Sequence, residues 1–259
     1  MLETRDLTIR FGGHVAVDRV SCAFTPGTLT AIVGPNGAGK TTYFNLISGQ
    51  LAASAGQVLL DDMDITELPA PLRTRRGLGR AFQLTQLFPS LSVLENVRLA
   101  VQARDHQTGS GLFGGGLNFW QVWLDRKDWL EEAREVLNTV HLYDRRDAPA
   151  ASLPHGDQRK LEVALLMALE PKVFMFDEPT AGMNAAEAPV ILDLIRRLKE
   201  DRSKTILLVE HKMDVVRELA DRIVVLHNGA KVADGEPAAV IASPIVQQAY
   251  LGMAAEEPA

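Results

Sequence analysis

A run of eight residues, Gly34–Thr41, has the composition of a phosphate-binding loop. It fits the pattern G-x-x-x-x-G-K-[ST], and it lies between an apolar strand pattern at 28–33 and a helix pattern at 41–47. Glycines let such a loop turn its backbone N–H groups toward phosphate oxygens, and the helix N-terminus favours an anion. The lysine neutralises phosphate charge and the threonine hydroxyl binds Mg²⁺. The predicted nucleotide contacts are Gly34, Asn36, Gly37, Ala38, Gly39, Lys40, Thr41 and Thr42.

Two acidic residues, Asp177 and Glu178, follow the apolar run 173–176. A buried strand that ends in a carboxylate places it at the sheet edge where metal and phosphate bind in doubly wound folds. Simple solvation of a strand end is the alternative explanation, but the phosphate-binding loop favours a catalytic one. We therefore predict that Asp177 binds Mg²⁺ and that Glu178 acts on the attacking water.

His211 follows the apolar run 205–209 and Glu210, so we expect it at the same sheet edge. There its imidazole can donate a hydrogen bond to the γ-phosphate or to the water. The other five histidines show no metal-ligand spacing. Four of them are predicted to be surface or packing residues: His14, His106, His141 and His227.

The order of the predicted elements is that of an α/β protein. Short β-prone stretches at 7–11, 15–17 and 20–24, separated by Gly12-Gly13 and Asp18-Arg19, predict a small antiparallel sheet. A region of about 84–150 is predicted to be a mostly helical insert. Beyond this region, strands and helices alternate as in a parallel sheet. The remaining predicted segments are strands at 58–60 and 77–82, helices at 119–140, 158–169 and 185–199, and a hairpin formed by 223–226 and 231–233.

Composition narrows the class of protein. The 259 residues include 27 basic and 33 acidic side chains, a net charge of -6, which argues against a nucleic-acid-binding protein. The one cysteine, Cys22, has no partner for an intrachain disulfide, which favours a reducing compartment. The longest apolar run, 163–169, is far shorter than the roughly 20 residues that span a bilayer, and no signal peptide is expected. Any membrane role is therefore expected to depend on a partner protein.

Five motifs in order resemble the ABC ATPase family across residues 2–252, with 253–259 as a tail: the loop at 34–41, Gln83, the segment 153–158, Asp177-Glu178 and His211. The resemblance implies an α/β fold, with a P-loop NTPase parallel-sheet core, an N-terminal antiparallel β subdomain and an inserted α-helical subdomain at about 84–150. It also implies a head-to-tail dimer in which ATP lies between one subunit's phosphate loop and the other's signature segment.

Further site residues follow from the resemblance. Phe11 would stack on the adenine, although a core phenylalanine is an equal alternative. Gln83 would contact Mg²⁺ or the water and report the nucleotide state to a membrane subunit. In the signature segment, Pro154 replaces the family's usual serine, so His155 and the backbone N–H of Gly156 are expected to contact the opposite nucleotide.

Finer features resemble the subfamily that takes up branched-chain and other hydrophobic amino acids, although urea and amide importers share much of the pattern. These features are the segments 11–13, 180–184, 210–214 and 249–252. The implied partners are permease subunits, a second ATPase in a homo- or heterodimer, and indirectly a solute-binding protein, with no nucleic acid. The implied place is the cytoplasmic face of the cell membrane. Part of the helical insert, which contains Trp120, Trp123 and Trp129, is expected to dock the permease, with core packing as the alternative.

Three other classes of protein remain as alternatives. A soluble ABC ATPase acting on DNA or ribosomes would fit the same motifs, but the acidic charge and the single nucleotide domain argue against it. A P-loop kinase is expected to lack both the signature segment and a histidine after the strand. A scaffold that binds ATP without turnover is disfavoured by Glu178.

Overall fold

The computed structural model describes residues 1–81, 87–107, 119–183 and 187–248. The chain divides into two compact units, one formed by Met1–Leu78, Lys172–Glu178 and the chain from Arg196 onward, the other by Gly79–Pro171 and Pro179–Ile195. In chain order the strands and α-helices are β1 (Leu2–Phe11), β2 (His14–Phe24), β3 (Leu29–Val33), α1 (Lys40–Ser48), β4 (Ala55–Leu60), β5 (Met63–Asp64), α2 (Ala70–Arg75), β6 (Leu78–Ala81), α3 (Val93–Gln107), α4 (Phe119–Thr139), α5 (His155–Leu169), β7 (Val173–Asp177), α6 (Ala188–Glu200), β8 (Thr205–Val209), α7 (Met213–Leu219), β9 (Arg222–His227), β10 (Ala230–Gly235) and α8 (Pro237–Ile241).

An antiparallel sheet in the order β2-β1-β4-β5 belongs to the first unit. The predicted turn at Gly12-Gly13 is confirmed, because β1 and β2 flank it and Phe11 pairs with His14. The predicted break at Asp18-Arg19 is wrong, since β2 runs through it without interruption. The pairing of the two strands shifts register there and Arg19 has a φ of 48°, so the extra residue forms a β-bulge instead of a turn.

The first unit also contains a second sheet, in which β10-β9-β3-β8-β7 are neighbours in that order. Strands β7, β8, β3 and β9 run parallel, and β10 is antiparallel to β9. Every residue of β3, β7 and β8 is buried. Burial on both faces explains why these strands are continuous apolar runs in the sequence.

Alternate residues of β3 contribute to two hydrophobic cores. Ile32 lies in the core that contains Phe44 and Ile47 of α1 and apolar residues of β1, so α1 packs between the two sheets. Ala31 and Val33 lie in the opposite core with residues of α7, α8 and β9. Helix α1, which follows the phosphate loop, is therefore held against β3 and β1 by the first of these cores.

The second unit is mainly helical. Helices α3, α4 and α5 pack on one another. Arg104 of α3 donates two hydrogen bonds to Glu132 of α4, at 2.5 and 2.7 Å, and Trp129 donates from its indole to Asp105 at 2.7 Å. Trp129 thus helps to join α4 to α3, and its expected role in docking the permease stays a prediction. Two shorter 3-10 helices, Tyr143–Arg145 and Ala150–Ser152, precede α5.

Most predicted helices are present with shifted ends. Helix α5 begins at His155, three residues before the predicted start at 158, and α6 begins at Ala188 instead of 185. Gln83, Asn184 and the terminal segment 249–252 lie outside the described residues, as do the side chains of Trp120 and Trp123. Among the helices of the described ranges, none is long and apolar enough to cross a membrane.

Candidate functional site

The phosphate-binding loop joins the end of β3 to the start of α1, as the sequence predicts. Two of its glycines cannot be replaced without a collision. Gly39, the residue before α1, has a φ of 95°, and a Cβ there would meet the carbonyl oxygen of Ala16. Gly34 has a φ of 153°, and a Cβ there would meet the carbonyl oxygen of Leu226. The loop therefore needs glycine both for its backbone angles and for its close approach to neighbouring strands.

Lys40 is buried, and its ammonium group lies over the loop. Its Nζ donates hydrogen bonds to the carbonyl oxygens of Gly34 at 2.8 Å and Pro35 at 2.9 Å. Burial lowers the pKa of this ammonium from its ordinary value, while the nearby charges of Glu178 and Asp177 oppose that shift. The lysine thus supplies a positive charge at the loop and can exchange its carbonyl partners for phosphate oxygens.

Asp177 and Glu178 lie at the carboxyl end of the parallel sheet. Asp177, the last residue of β7, pairs with Val209 of β8 and is 5% exposed. Glu178 has a φ of 50°, and its backbone N–H donates to the carbonyl oxygen of Val209 at 2.9 Å. Residues other than glycine rarely adopt this left-handed backbone conformation, and those that do are concentrated at functional sites. The backbone turns at Glu178 while Asp177 remains in the sheet.

His211 contacts Glu178 directly. The distance between His211 Nε2 and Glu178 Oε1 is 2.7 Å. The backbone N–H of His211 donates to the buried carboxylate of Glu210 at 2.7 Å, and the N–H of Lys212 donates to the same oxygen at 3.3 Å. Glu210 thereby fixes the backbone that carries the imidazole. A carboxylate and an imidazole in this arrangement can orient a water molecule and accept its proton.

One cavity of about 400 Å³ within the first unit brings most of the predicted residues together, although Gly34 and Asp177 are not among the residues that line it. The predicted residues that line it are Phe11, Asn36, Gly37, Ala38, Gly39, Lys40, Thr41, Thr42, Glu178 and His211. Phe11 is 51% exposed, which excludes the alternative of a core phenylalanine. His14 and Ala16 line the cavity as well, although His14 was predicted to be a surface or packing residue. The signal that was available for His14 is its position across the Gly12-Gly13 turn from Phe11.

The residues present fit a Mg²⁺ ion that is bound together with a nucleotide. Mg²⁺ keeps several waters and takes only one or two protein oxygens when phosphates supply the others. The Thr41 residue lines the cavity, and Asp177 lies close enough to Lys40 to act on its charge. In the part of the chain that the structure describes, no group of three or more His, Cys, Asp or Glu could hold a metal without phosphates.

The signature segment belongs to the second unit. Pro154 precedes α5, and His155 and Gly156 form its first turn. Gly156 is buried, and a Cβ on it would collide with the carboxylate of Glu187. The Gly156 backbone, expected to be open to a partner's phosphate, is therefore covered by a carboxylate in the single chain. Glu187 was not predicted, because its approach to α5 depends on the fold of this unit.

Comparison with known proteins places these observations in a family. The family described as "ABC transporter" matches residues 17–181. The high-affinity branched-chain amino acid transport ATP-binding protein LivG of Escherichia coli is 37% identical over 254 residues, with 98% of each chain covered. The lipopolysaccharide export system ATP-binding protein LptB of Escherichia coli is 30% identical, with 97% of each chain covered.

A solved structure agrees with this relationship. The ATP-binding cassette MJ1267 of an ABC transporter, in its ADP conformation, superposes with a TM-score of 0.78 at 28% identity, with 97% of this chain and 98% of that chain covered. The α/β fold predicted from the motifs is thus confirmed, and so is the resemblance to ABC ATPases. The chain belongs to the ABC transporter family and is one of its ATP-binding cassettes.

Proposed function

We propose that this chain binds Mg·ATP in the 400 Å³ cavity and hydrolyses it to power the uptake of branched-chain amino acids by an ABC transporter. The observation that carries the proposal is the 2.7 Å contact between Glu178 and His211 in the same cavity as Lys40 and the phosphate-binding loop. It joins a group that can activate water to a cradle for phosphates, which is the requirement for phosphoanhydride hydrolysis.

Each side chain has a distinct task in this mechanism. The loop N–H groups and Lys40 hold the β- and γ-phosphates, and Phe11 stacks on the adenine. Thr41, Asp177 and Gln83 would hold Mg²⁺, which neutralises charge on the phosphates when bound. Glu178 orients the attacking water and accepts its proton. His211 donates a hydrogen bond toward the γ-phosphate and keeps the Glu178 carboxylate in place.

Two copies of such a cassette, or this chain and a related ATPase, complete the site. His155 and Gly156 of one subunit contact the nucleotide held by the other, so that ATP closes the dimer and product release reopens it. Pro154 leaves this contact without the usual hydroxyl, which favours a heterodimer in which the related ATPase supplies a serine. The dimer acts on permease subunits at the inner face of the cell membrane. A solute-binding protein supplies these permease subunits with the transported molecule.

The substrate class is proposed from the relatives. LivG, named for branched-chain amino acid transport, is more similar to this chain than LptB, named for lipopolysaccharide export, at 37% against 30% identity. A urea or amide importer is the alternative, because its ATPase shares much of the sequence pattern. A soluble ABC ATPase remains a second alternative that requires no permease.

Uptake measurements test the proposal. Cells lacking this chain would be complemented with the wild type or with Glu178→Gln, and uptake of labelled leucine and of labelled urea would be compared. We expect the wild type to restore leucine uptake and the equally expressed variant to fail. Restoration of urea uptake alone would transfer the function to the alternative importer. A transporter role would be contradicted if the wild type restored neither leucine nor urea uptake and if the wild type and the variant were both absent from the membrane fraction.

A further inference from the structure

His14 occupies a defined place beside the predicted base-stacking residue. It is the first residue of β2 and pairs directly with Phe11, the last residue of β1, across the Gly12-Gly13 turn. Residues opposite one another in an antiparallel pair have Cβ atoms about 5 Å apart and lie on the same face. Both side chains are exposed and both line the cavity. The hairpin end thus presents an aromatic ring and a neighbouring polar ring to the same space.

The strand that carries His14 also passes the phosphate-binding loop. The carbonyl oxygen of Ala16 lies against Gly39, where even an added Cβ would collide with it. His14 is two residues farther toward the hairpin end, which is about 7 Å at the rise of a β-strand. His14 therefore lies on the Phe11 side of the phosphate cradle, at the hairpin end of the cavity.

We propose that His14 is a second nucleoside-contacting residue, which hydrogen bonds the ribose of ATP while Phe11 stacks on the base. This inference rests on the proposed nucleotide site. The phosphates already have Lys40 and the loop N–H groups as partners, whereas the nucleoside end of the cavity offers His14 as its polar side chain at the hairpin. A neutral imidazole carries one donor and one acceptor, which match the donor and acceptor of a ribose hydroxyl.

The role makes His14 a specificity residue for nucleoside phosphates over bare polyphosphate. Calorimetric titrations of the full chain with ATP, ADP and inorganic tripolyphosphate would compare the wild type with His14→Ala. One lost hydrogen bond is worth roughly 0.5–1.5 kcal/mol, so we expect about a 2- to 12-fold weaker affinity for ATP and for ADP. Affinity for tripolyphosphate should remain within about twofold, because the phosphate cradle is unchanged.

Four further variants make the result decisive. His14→Gln keeps a donor and an acceptor and should recover part of the lost affinity, whereas His14→Phe keeps a ring without them and should not. Arg10→Ala, an exposed neighbour on β1 that does not line the cavity, should leave all three affinities unchanged. Lys40→Ala should weaken all three, which would verify the phosphate site independently.

Two outcomes would overturn the inference. An equal loss of ATP and tripolyphosphate affinity in His14→Ala would assign His14 to the phosphates, and unchanged ATP affinity would leave it a surface residue. If Lys40→Ala also left ATP affinity unchanged, the proposed nucleotide site itself would be wrong. If Lys40→Ala weakened ATP binding and His14→Ala did not, the proposed nucleotide site would be supported but the proposed role of His14 would be wrong.

Discussion

At the scale of single residues, the conformation of Glu178 links the sheet to the proposed chemistry. Its φ of 50° turns the chain out of β7, and its carboxylate then reaches His211 of the segment that follows β8. The two side chains are 39% exposed, so a water molecule can approach the pair. A left-handed acidic residue held by a backbone hydrogen bond and a histidine is a preorganised arrangement, in which little movement precedes catalysis.

Removal of the imidazole tests this arrangement. In His211→Ala the Glu178 carboxylate loses its partner and the γ-phosphate loses a donor, so we expect kcat for ATP hydrolysis to fall about 100-fold or more. The Kd for ATP should change by less than about twofold, because the phosphate cradle is intact. Phosphate release and equilibrium binding measure the two quantities. A large rise in Kd with unchanged kcat would instead make His211 a binding residue.

The sequence predicts the loop, the two acids and His211 because each occupies a fixed offset from a strand. His14 and Glu187 are different cases. His14 lines the cavity only because the hairpin at Gly12-Gly13 pairs it with Phe11, and Glu187 covers Gly156 only in the folded second unit. Contacts between residues distant in the chain leave no local pattern, so a single sequence does not reveal them.

At the scale of elements, buried Arg73 holds the end of α1. Its guanidinium donates to the carbonyl oxygens of Leu46 at 2.6 Å and Ile47 at 2.7 Å, in the last turn of α1. It also donates to those of Thr66 at 2.5 Å and Leu68 at 2.8 Å. Burial lowers the pKa of this guanidinium, while Asp64 and Glu67 oppose the shift. The helix that begins at the phosphate loop is thus anchored at its other end by a charged fork.

Replacing Arg73 with methionine should be strongly destabilising. The change leaves four carbonyl oxygens without the guanidinium, and we expect the free energy of unfolding to fall by about 3 kcal/mol or more. Denaturant unfolding measures this free energy. The control is Arg75→Met, because Arg75 is an exposed arginine of α2, the helix that also contains Arg73. We expect this control to be within about 0.5 kcal/mol of the wild type. Equal stability of the two variants would show that the fork contributes nothing.

The hairpin of β9 and β10 carries a pH-sensitive ion pair. Arg222 donates to Asp234 at 2.6 and 2.7 Å, and Lys231 donates to it at 2.9 Å. Burial alone would raise the pKa of Asp234, but the hydrogen bonds from Arg222 and Lys231 outweigh it and lower this pKa. A lowered pKa stabilises the fold above the ordinary value of about 4, and this contribution is lost as the pH falls through the lowered pKa.

Asp234→Asn should therefore destabilise the chain most at neutral pH. The wild type should exceed the variant in free energy of unfolding at about pH 7, and the difference should shrink below about pH 4 as Asp234 protonates. Urea unfolding across this range provides the measurement, with Asp62→Asn, an exposed carboxylate, as the control. A difference that stays constant down to about pH 2 would contradict the assignment.

Element types are predicted better than element ends. The parallel strands are recognised from apolar runs, which follow from burial on both faces, and β8 has the predicted bounds at Thr205–Val209. The bulge at Arg19 was misread as a turn because a positive φ and a polar pair are common to both features. Helix α2 was missed, since its six residues include Pro71 and are too short for a helical period.

For the whole molecule, the Glu187 carboxylate that lies against Gly156 affects how two subunits would form a dimer. If a partner's γ-phosphate binds at the first turn of α5, the Glu187 carboxylate must leave, because two anions cannot share one helix N-terminus. The first turn of α5 would then accept the phosphate only after this carboxylate had moved. Pairing of the two subunits and exchange of Glu187 for phosphate would be one event.

Neutralising Glu187 should strengthen the ATP-dependent dimer. In a Glu178→Gln background, which preserves bound ATP, we expect Glu187→Gln to lower the dimer dissociation constant several-fold, since like-charge repulsion is removed. Sedimentation velocity with and without Mg·ATP measures it, and Glu200→Gln, an exposed acid of α6, is the control. A weaker dimer in Glu187→Gln would mean that the carboxylate supports the segment instead of blocking it.

ATP hydrolysis by Glu178→Gln is the decisive measurement for the catalytic role of the Glu178–His211 pair. The substitution keeps the size and hydrogen-bonding capacity of the side chain beside His211 but removes the proton acceptor. Phosphate release from Mg·ATP should fall at least about 100-fold while ATP binding stays within about twofold of the wild type. Turnover that is indifferent to this change, with binding intact, would show that the Glu178–His211 pair does not carry the reaction.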